Sequence, residues 1–352
     1  MPGTSTLSGL IADILKLSKV KEGERVALVT TIAYNPEILD AYLVALEDLG
    51  ADALRLILPR RSEGRKLVQP LGPYAAEVLK GADMVIRPVT EEHPPVPDIF
   101  MYDEVFTEIL FKGTRWLDLV IPEEAMRRLF PDQALIDRTM AGVELMEKAE
   151  SIRITSEAGT DLRLSKKGRK GHKQTGIVDE AGMWDNFGFG LVACAPLEDS
   201  AEGTLVLNSG DSAGQEGLGN RHGINPEPIR LTFRNGKIVE IDGGYSALML
   251  RRWLSQRESD GAYRIAHVGW GTHDRAVWGG AQFTHADWES FYGCTMIHFG
   301  ANIFNTPCRF AGLGGATHPP TIHWGGSVLN CSFYLDDEQI MDRGKIVYPR
   351  CK

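Results

Sequence analysis

At 352 residues the chain is too long for one ordinary hydrophobic core and suits two domains. Hydrophobic residues at 43%, charged residues at 24% and a formal net charge of -9 exclude a disordered or fibrous chain and give no basic stripe for a nucleic-acid backbone. Five cysteines without a CxxC pair, an opening stretch without a basic-then-apolar leader, and no apolar run of about 18 residues predict reduced thiols in a cytoplasmic protein that spans no membrane.

In chain order, residues 1–149 alternate helical and extended patterns as an α/β domain with a parallel sheet requires. Helices are expected at Leu10–Val20, Pro36–Leu49, Pro73–Lys80, Phe106–Phe111 and Pro122–Phe130, with Pro122 in the first turn. Strands are expected at Arg25–Thr30, Ala53–Leu58, Asp83–Arg87 and Arg115–Ile121. None is followed by GxGxxG or GxxxxGK[ST], so no nucleotide site is expected there. Ala134–Ala149 reads as a connecting helix. Residues 150–352 then read as an α+β domain dominated by antiparallel strands, the β-rich, metal-binding, catalytic half. Hairpins are expected around Ala158-Gly159-Thr160, Asn235-Gly236 and Asp336-Asp337, with one helix at Ser246–Arg257. The basic cluster Lys166, Lys167, Arg169, Lys170, His172 and Lys173 reads as a solvated loop, with recognition of an anion as the rival.

Three of nine histidines sit in extended, glycine-flanked segments: Ala266-His267-Val268-Gly269, Met296-Ile297-His298-Phe299-Gly300 and Thr321-Ile322-His323-Trp324-Gly325. Such glycines suit strand ends where backbone approaches an ion or ligand closely, and imidazoles from separate strands can converge on one cation with open positions left for chemistry. A single such histidine reads better as a core residue bonded to a carbonyl; three in one context point to a shared metal site. His93, His273, His285 and His318 are expected in loops, and His222 in a glycine-rich stretch that could carry binding residues. No GxSxG elbow, no cysteine in a nucleophile's setting and no HExxH occur.

Glu180-Ala181-Gly182-Met183-Trp184-Asp185, the run Glu198–Leu207, Ala266–Gly271, Phe291-Tyr292-Gly293, Tyr334–Asp337 and Lys112–Arg115 together resemble the 2,5-dihydroxypyridine 5,6-dioxygenases of nicotinate degradation, relatives of the aminopeptidase T-like metallopeptidases. The resemblance implies one Fe(II), a homo-oligomer and O2-dependent opening of a hydroxylated pyridine ring. It carries two iron-binding histidines onto His267 and His323 and the ligand aspartate onto Gly325, which cannot bind metal. His298 instead matches a metal-binding histidine of the metallopeptidases, which implies a relocated third ligand. A substrate-facing glutamate of the family falls on Gln174 and an acid or base histidine on Asn186, and neither amide moves protons. His172, His222 and Asp185 are therefore the candidate proton carriers. A second-metal glutamate of the peptidases falls on Leu191, which disfavours a two-metal site.

The expected activity is a non-haem Fe(II) ring-cleaving dioxygenase on a hydroxylated aromatic or N-heteroaromatic ring. Tyr102, Phe106, Trp184 and Phe187 are expected to wall the flat substrate, though aromatics so placed are commonly core. The rivals are a mononuclear hydrolase in which the histidines hold Zn2+ and cleave an amide or ring C-N bond, and a decayed, non-enzymatic binding module. The expected partners are a small aromatic ring and O2, with no nucleic acid and no membrane.

Overall fold

The fold comes from a computed structural model that describes residues 6–31, 36–58, 72–88, 104–119, 121–212, 224–256, 260–300 and 323–352. Tyr102, His222, His93 and His318 lie outside the described residues, as does the side chain of His323. The chain divides into two compact units. The first takes its described residues from Met1–Pro131 and Gln174–Gly188, the second from Asp132–Lys173, Phe189–Asn305 and Gly312–Lys352.

The first unit alternates as expected: α1 (Leu7–Leu17), β1 (Arg25–Thr31), α2 (Pro36–Asp48), β2 (Asp52–Leu58), α3 (Pro73–Lys80), β3 (Met84–Pro88), α4 (Glu104–Phe111), β4 (Arg115–Leu119) and α5 (Glu123–Arg128). Leu10, Ile11, Ile14 and Leu15 recur at helical spacing and are fully buried, and the Thr6 hydroxyl caps α1 by accepting from the Gly9 N–H at 3.2 Å. Every residue of β3 and β4 is buried, as central strands of a parallel sheet covered on both faces demand. The sheet runs β2-β1-β3-β4-β8, all parallel, and its last member is β8 (Trp184–Asn186), contributed from beyond residue 150. Pro122 departs from expectation by standing at the N-cap of α5 in extended conformation, one position before the helix.

The second unit opens with α6 (Gln133–Lys148), capped by Asp132, whose carboxylate accepts from the Leu135 N–H at 2.8 Å. An eight-stranded antiparallel sheet follows the order β12-β11-β10-β6-β5-β16-β17-β18. Its members are β5 (Ser151–Thr155), β6 (Asp161–Ser165), β10 (Glu202–Leu207), β11 (Ile229–Arg234), β12 (Lys237–Gly243), β16 (Ser332–Leu335), β17 (Glu338–Asp342) and β18 (Lys345–Ile346). The three expected hairpins form. Asn235 and Gly236 both adopt positive φ, 49° and 75°, which the primed turn between β11 and β12 requires. Alternating burial along β5 and β6 turns one face inward.

A separate five-stranded sheet, β15-β14-β13-β9-β7, is formed by β7 (His172–Gln174), β9 (Leu191–Cys194), β13 (Ile265–Gly271), β14 (Thr295–Gly300) and β15 (His323–Val328). β9, β13 and β14 are buried at every position. α6 lies against this sheet so closely that a Cβ on Gly142 would meet Val192 at 2.6 Å and Trp270 at 2.8 Å. Two helices complete the unit, α7 (Tyr245–Ser255) and α8 (His285–Ser290).

The basic cluster is only in part the solvated loop expected: Lys167 and Lys170 are exposed, while Lys166, His172 and Lys173 are buried. Lys166 is fully buried, its ammonium donating to the Ala149 carbonyl at 2.8 Å, and burial holds its pKa below the usual lysine value. Lys167 pairs with Glu150 at 3.2 Å and Arg169 with Glu198 at 2.7 Å, so these charges tie the segment to its own neighbours.

Candidate active site

Four histidines fall on the five-stranded sheet: His172 on β7, His267 on β13, His298 on β14 and His323 on β15. His267 and His298 are register partners. Opposite residues of an antiparallel pair share one sheet face, and their imidazoles stack with centroids 4.5 Å apart and planes 29° from parallel. Both are nearly sealed, at 8% and 4% exposure.

Across the other edge of β14, His298 lies opposite Gly325 of β15, while position 323 lies opposite Gly300. A Cβ at Gly325 would stand 2.3 Å from Cδ2 and 2.7 Å from Nε2 of His298. The imidazole thus occupies the space that any side chain at 325 would need. Gly269 has a different reason from the one expected: its Cβ would collide with the Val192 carbonyl oxygen at 1.7 Å, so it admits β9 rather than a ligand.

Sequence reading placed His285 in a loop and passed over Glu289. Both belong to α8, which Thr284 and Asp287 start with a reciprocal capping box; Thr284 N–H donates to Asp287 at 2.9 Å. That Thr-x-x-Asp signature, followed by a His and a Glu four residues apart, was the available signal. The helix brings His285 Nε2 to 2.5 Å from Glu289 Oε1, and the same oxygen lies 3.9 Å from His298 Nε2. Trp288 stacks on His285 at 5.1 Å and on His298 at 5.5 Å, so His285, Trp288, His298 and His267 form one column of rings. Glu289 is 7% exposed, and among the described residues no lysine or arginine forms an ion pair with it.

Imidazole nitrogens and carboxylate oxygens are donors that divalent first-row metals take. Among the described residues no three His, Cys, Asp or Glu converge tightly enough to hold an ion, and the side chain of His323 is not among those residues. Among the described residues the cysteine thiols offer no nucleophile: burial pushes Cys194, Cys294 and Cys331 up to about 12 and Cys351 up to about 11.

The remaining candidates belong to the first unit, apart from His172, which is 2% exposed on β7. Asp118 on β4 gathers Arg87 through two bonds of 2.7 and 2.8 Å, the Trp116 indole at 2.8 Å and the Trp184 indole at 2.9 Å. Trp184 is therefore tied into the sheet by its N–H. Phe106 is buried edge-on against Trp116, with centroids 5.0 Å apart, inside the core. Asp185 is fully buried and accepts backbone N–H groups from Thr175 at 2.9 Å, Gly176 at 3.0 Å and Asn186 at 2.7 Å. Three such donors make it a brace for the 174–186 segment. Gln174 is 4% exposed, and its Nε2 has no hydrogen-bond partner among the described residues; Asn186 is half-buried.

A parallel α/β unit joined in one chain to a unit of antiparallel sheets, with register-paired histidines in the latter, defines a two-unit architecture of an α/β sheet and a β-rich half. The structure of 2,5-dihydroxypyridine dioxygenase from Pseudomonas putida KT2440 superposes with a TM-score of 0.82 at 28% identity, covering 98% of each chain. Wild-type AmpT from Thermus thermophilus shares the fold, with a TM-score of 0.68 at 15% identity over 97% of this chain and 99% of that one. In sequence, the 2,5-dihydroxypyridine 5,6-dioxygenase of Pseudomonas putida KT2440 is 29% identical over 367 aligned residues, 97% of this chain and 96% of the relative. The chain belongs to the 2,5-dihydroxypyridine 5,6-dioxygenase family, NicX, whose model matches residues 6–348. The resemblance read from the sequence is thereby borne out.

Proposed function

We propose that this protein is a non-haem Fe(II)-dependent dioxygenase that opens a hydroxylated pyridine or similar aromatic ring with O2. The observation that carries the reading is the sealed imidazole pair of His267 and His298, within a chain matched by its family from residue 6 to 348. His267, His298 and His323 would hold the ion through neutral imidazole nitrogens, a set that also suits Zn2+. When bound, Fe(II) supplies the one-electron chemistry through which O2 reacts with a closed-shell ring.

The chain's own residues do the rest. Trp288 and His267 flank the His298 ring and fix its plane, while the buried strands keep water from the donors. Gln174 and Asn186 are assigned to substrate binding, since an amide holds ring oxygen or nitrogen atoms without taking up a proton. His172 and His222 are the proton carriers left to this reading, because Asp185 is committed to backbone N–H groups. A homo-oligomer in the cytoplasm belongs to the same proposal; no helix among the described residues is long and apolar enough to cross a membrane.

The test is reconstitution with Fe(II) under anaerobic conditions, followed by O2 uptake against a panel of hydroxypyridines and hydroxylated aromatic acids. About one O2 should be consumed per ring opened. Iron-loaded protein that consumes none, while zinc-loaded protein hydrolyses an amide or lactam, would replace this reading with the hydrolase.

A further inference from the structure

We infer that Asp211 and Asn225 form a proton-dependent clasp on the far end of β15: a proton shared between their side chains keeps it closed, and loss of that proton opens it. Asp211 is 3% exposed and Asn225 fully buried. The Asn225 N–H donates to the Asp211 carbonyl at 2.7 Å, which puts the two residues side by side. Both side chains then reach Asn208 at the end of β10. The Asp211 carboxylate accepts its N–H at 2.6 Å, while Asn225 Nδ2 donates to its carbonyl at 3.4 Å and to that of Leu207 at 3.2 Å. Those donations fix which way the amide points, and they leave Asn225 Oδ1 buried without a donor. Beside this orphaned acceptor stands a buried carboxylate with no ion-pair partner among the described residues. Each is costly alone. One proton on Asp211 relieves both, because a protonated carboxyl donates its O–H and still has lone pairs for the two backbone N–H groups.

The clasp holds the strand that pairs with the His298 strand. Asp211 accepts the Leu329 N–H at 2.9 Å, just beyond Val328 at the end of β15, and the Ser212 N–H donates to the Ser327 carbonyl within β15 at 2.9 Å. Asp211 also lines a cavity of about 570 Å3 together with Glu157 of the β5–β6 turn and Asp342, Arg343 and Lys345 of β17 and β18. Arg343 lies 3.7 Å from both Glu157 and Asp342. The other titratable neighbour is the Cys331 thiol beside β16, which burial pushes up to about 12 and so keeps neutral. Burial likewise pushes the Asp211 carboxyl up to about 6, against its two backbone bonds, which places the release of its proton near neutrality. An ionised Asp211 faces Asn225 acceptor to acceptor, and the water and cations of the cavity become its better surroundings. Turning toward them releases Asn208 and Leu329.

The experiment follows the full-length parent between about pH 5 and pH 8 by difference infrared spectroscopy and by amide hydrogen exchange corrected for the intrinsic pH dependence. The parent should lose a protonated-carboxyl band with a midpoint near 6, and Asp211→Asn should lack that band. Over the same interval, exchange at Asn208, Ser212 and Leu329 should quicken by about tenfold or more relative to the buried amides of β3. Asn225→Asp, which lets two carboxylates share the proton, should raise the midpoint by about one pH unit or more. Absence of a band that depends on Asp211 would overturn the inference, and so would a titrating band with unchanged exchange at those amides. A midpoint unmoved in folded Asn225→Asp would remove Asn225 as the partner; if that variant does not fold, the two parent measurements decide.

Discussion

Asp118 and Glu289 are both buried acids, one in each compact unit, and their surroundings differ in kind. Asp118 is saturated: a guanidinium grips both oxygens and two indole N–H groups add to it. Glu289 meets imidazoles, and among the described residues no permanent cation pairs with it. Saturation is what a structural charge requires, since each unmet lone pair in a dry interior costs free energy. Glu289 is met instead by an imidazole, whose charge depends on its own protonation. Asp211 lies between these cases: it is 3% exposed and accepts N–H groups from Leu329 at 2.9 Å and Asn208 at 2.6 Å, with no ion-pair partner among the described residues.

Asp118→Ala should show the largest effect, because it strands Arg87 and two indoles; about 3–5 kcal/mol should be lost in chemical denaturation. A loss under about 1 kcal/mol would mean that the saturated cluster is incidental to the fold. Asp211 sharpens the comparison through pH. Burial pushes its carboxyl from 3.8 up to about 6, opposed by its two backbone N–H bonds. The folded state therefore holds the proton more tightly than the unfolded one. Stability from this group is present below about pH 4 and lost as pH rises through about 6, a swing of roughly 2–3 kcal/mol. The stability difference between parent and Asp211→Asn should fall across that window, and a flat difference would contradict the assignment. The smallest effect belongs to Glu289→Gln in metal-free protein, where the amide oxygen can still accept from His285 and the change should stay within about 1 kcal/mol. A loss as large as that at Asp118 would make Glu289 a structural residue and erase the contrast.

Much of the fold was legible because its signals are local. Periodic apolar residues marked the helices of the first unit, and Asn235-Gly236 marked a hairpin by the positive φ that both residues tolerate well. β8 escaped notice because three residues carry no readable period, and its place is decided by indole and backbone bonds to Asp118, made over 66 positions of sequence. At the candidate site, the three histidine contexts pointed to one shared metal site, yet only pairing register shows that His267 and His298 are opposite neighbours. Glu289 was missed for a similar reason. Its interest comes from what α8 turns it toward, and a six-residue helix leaves little trace beyond its cap.

The mutual exclusion between the His298 ring and a side chain at 325 carries a historical consequence. With strands at this spacing, an imidazole at 298 and a carboxylate at 325 compete for one volume, so the two positions are coupled like a lock with a single bolt. A lineage passing between those arrangements must cross an intermediate that lacks both groups or that crowds them together.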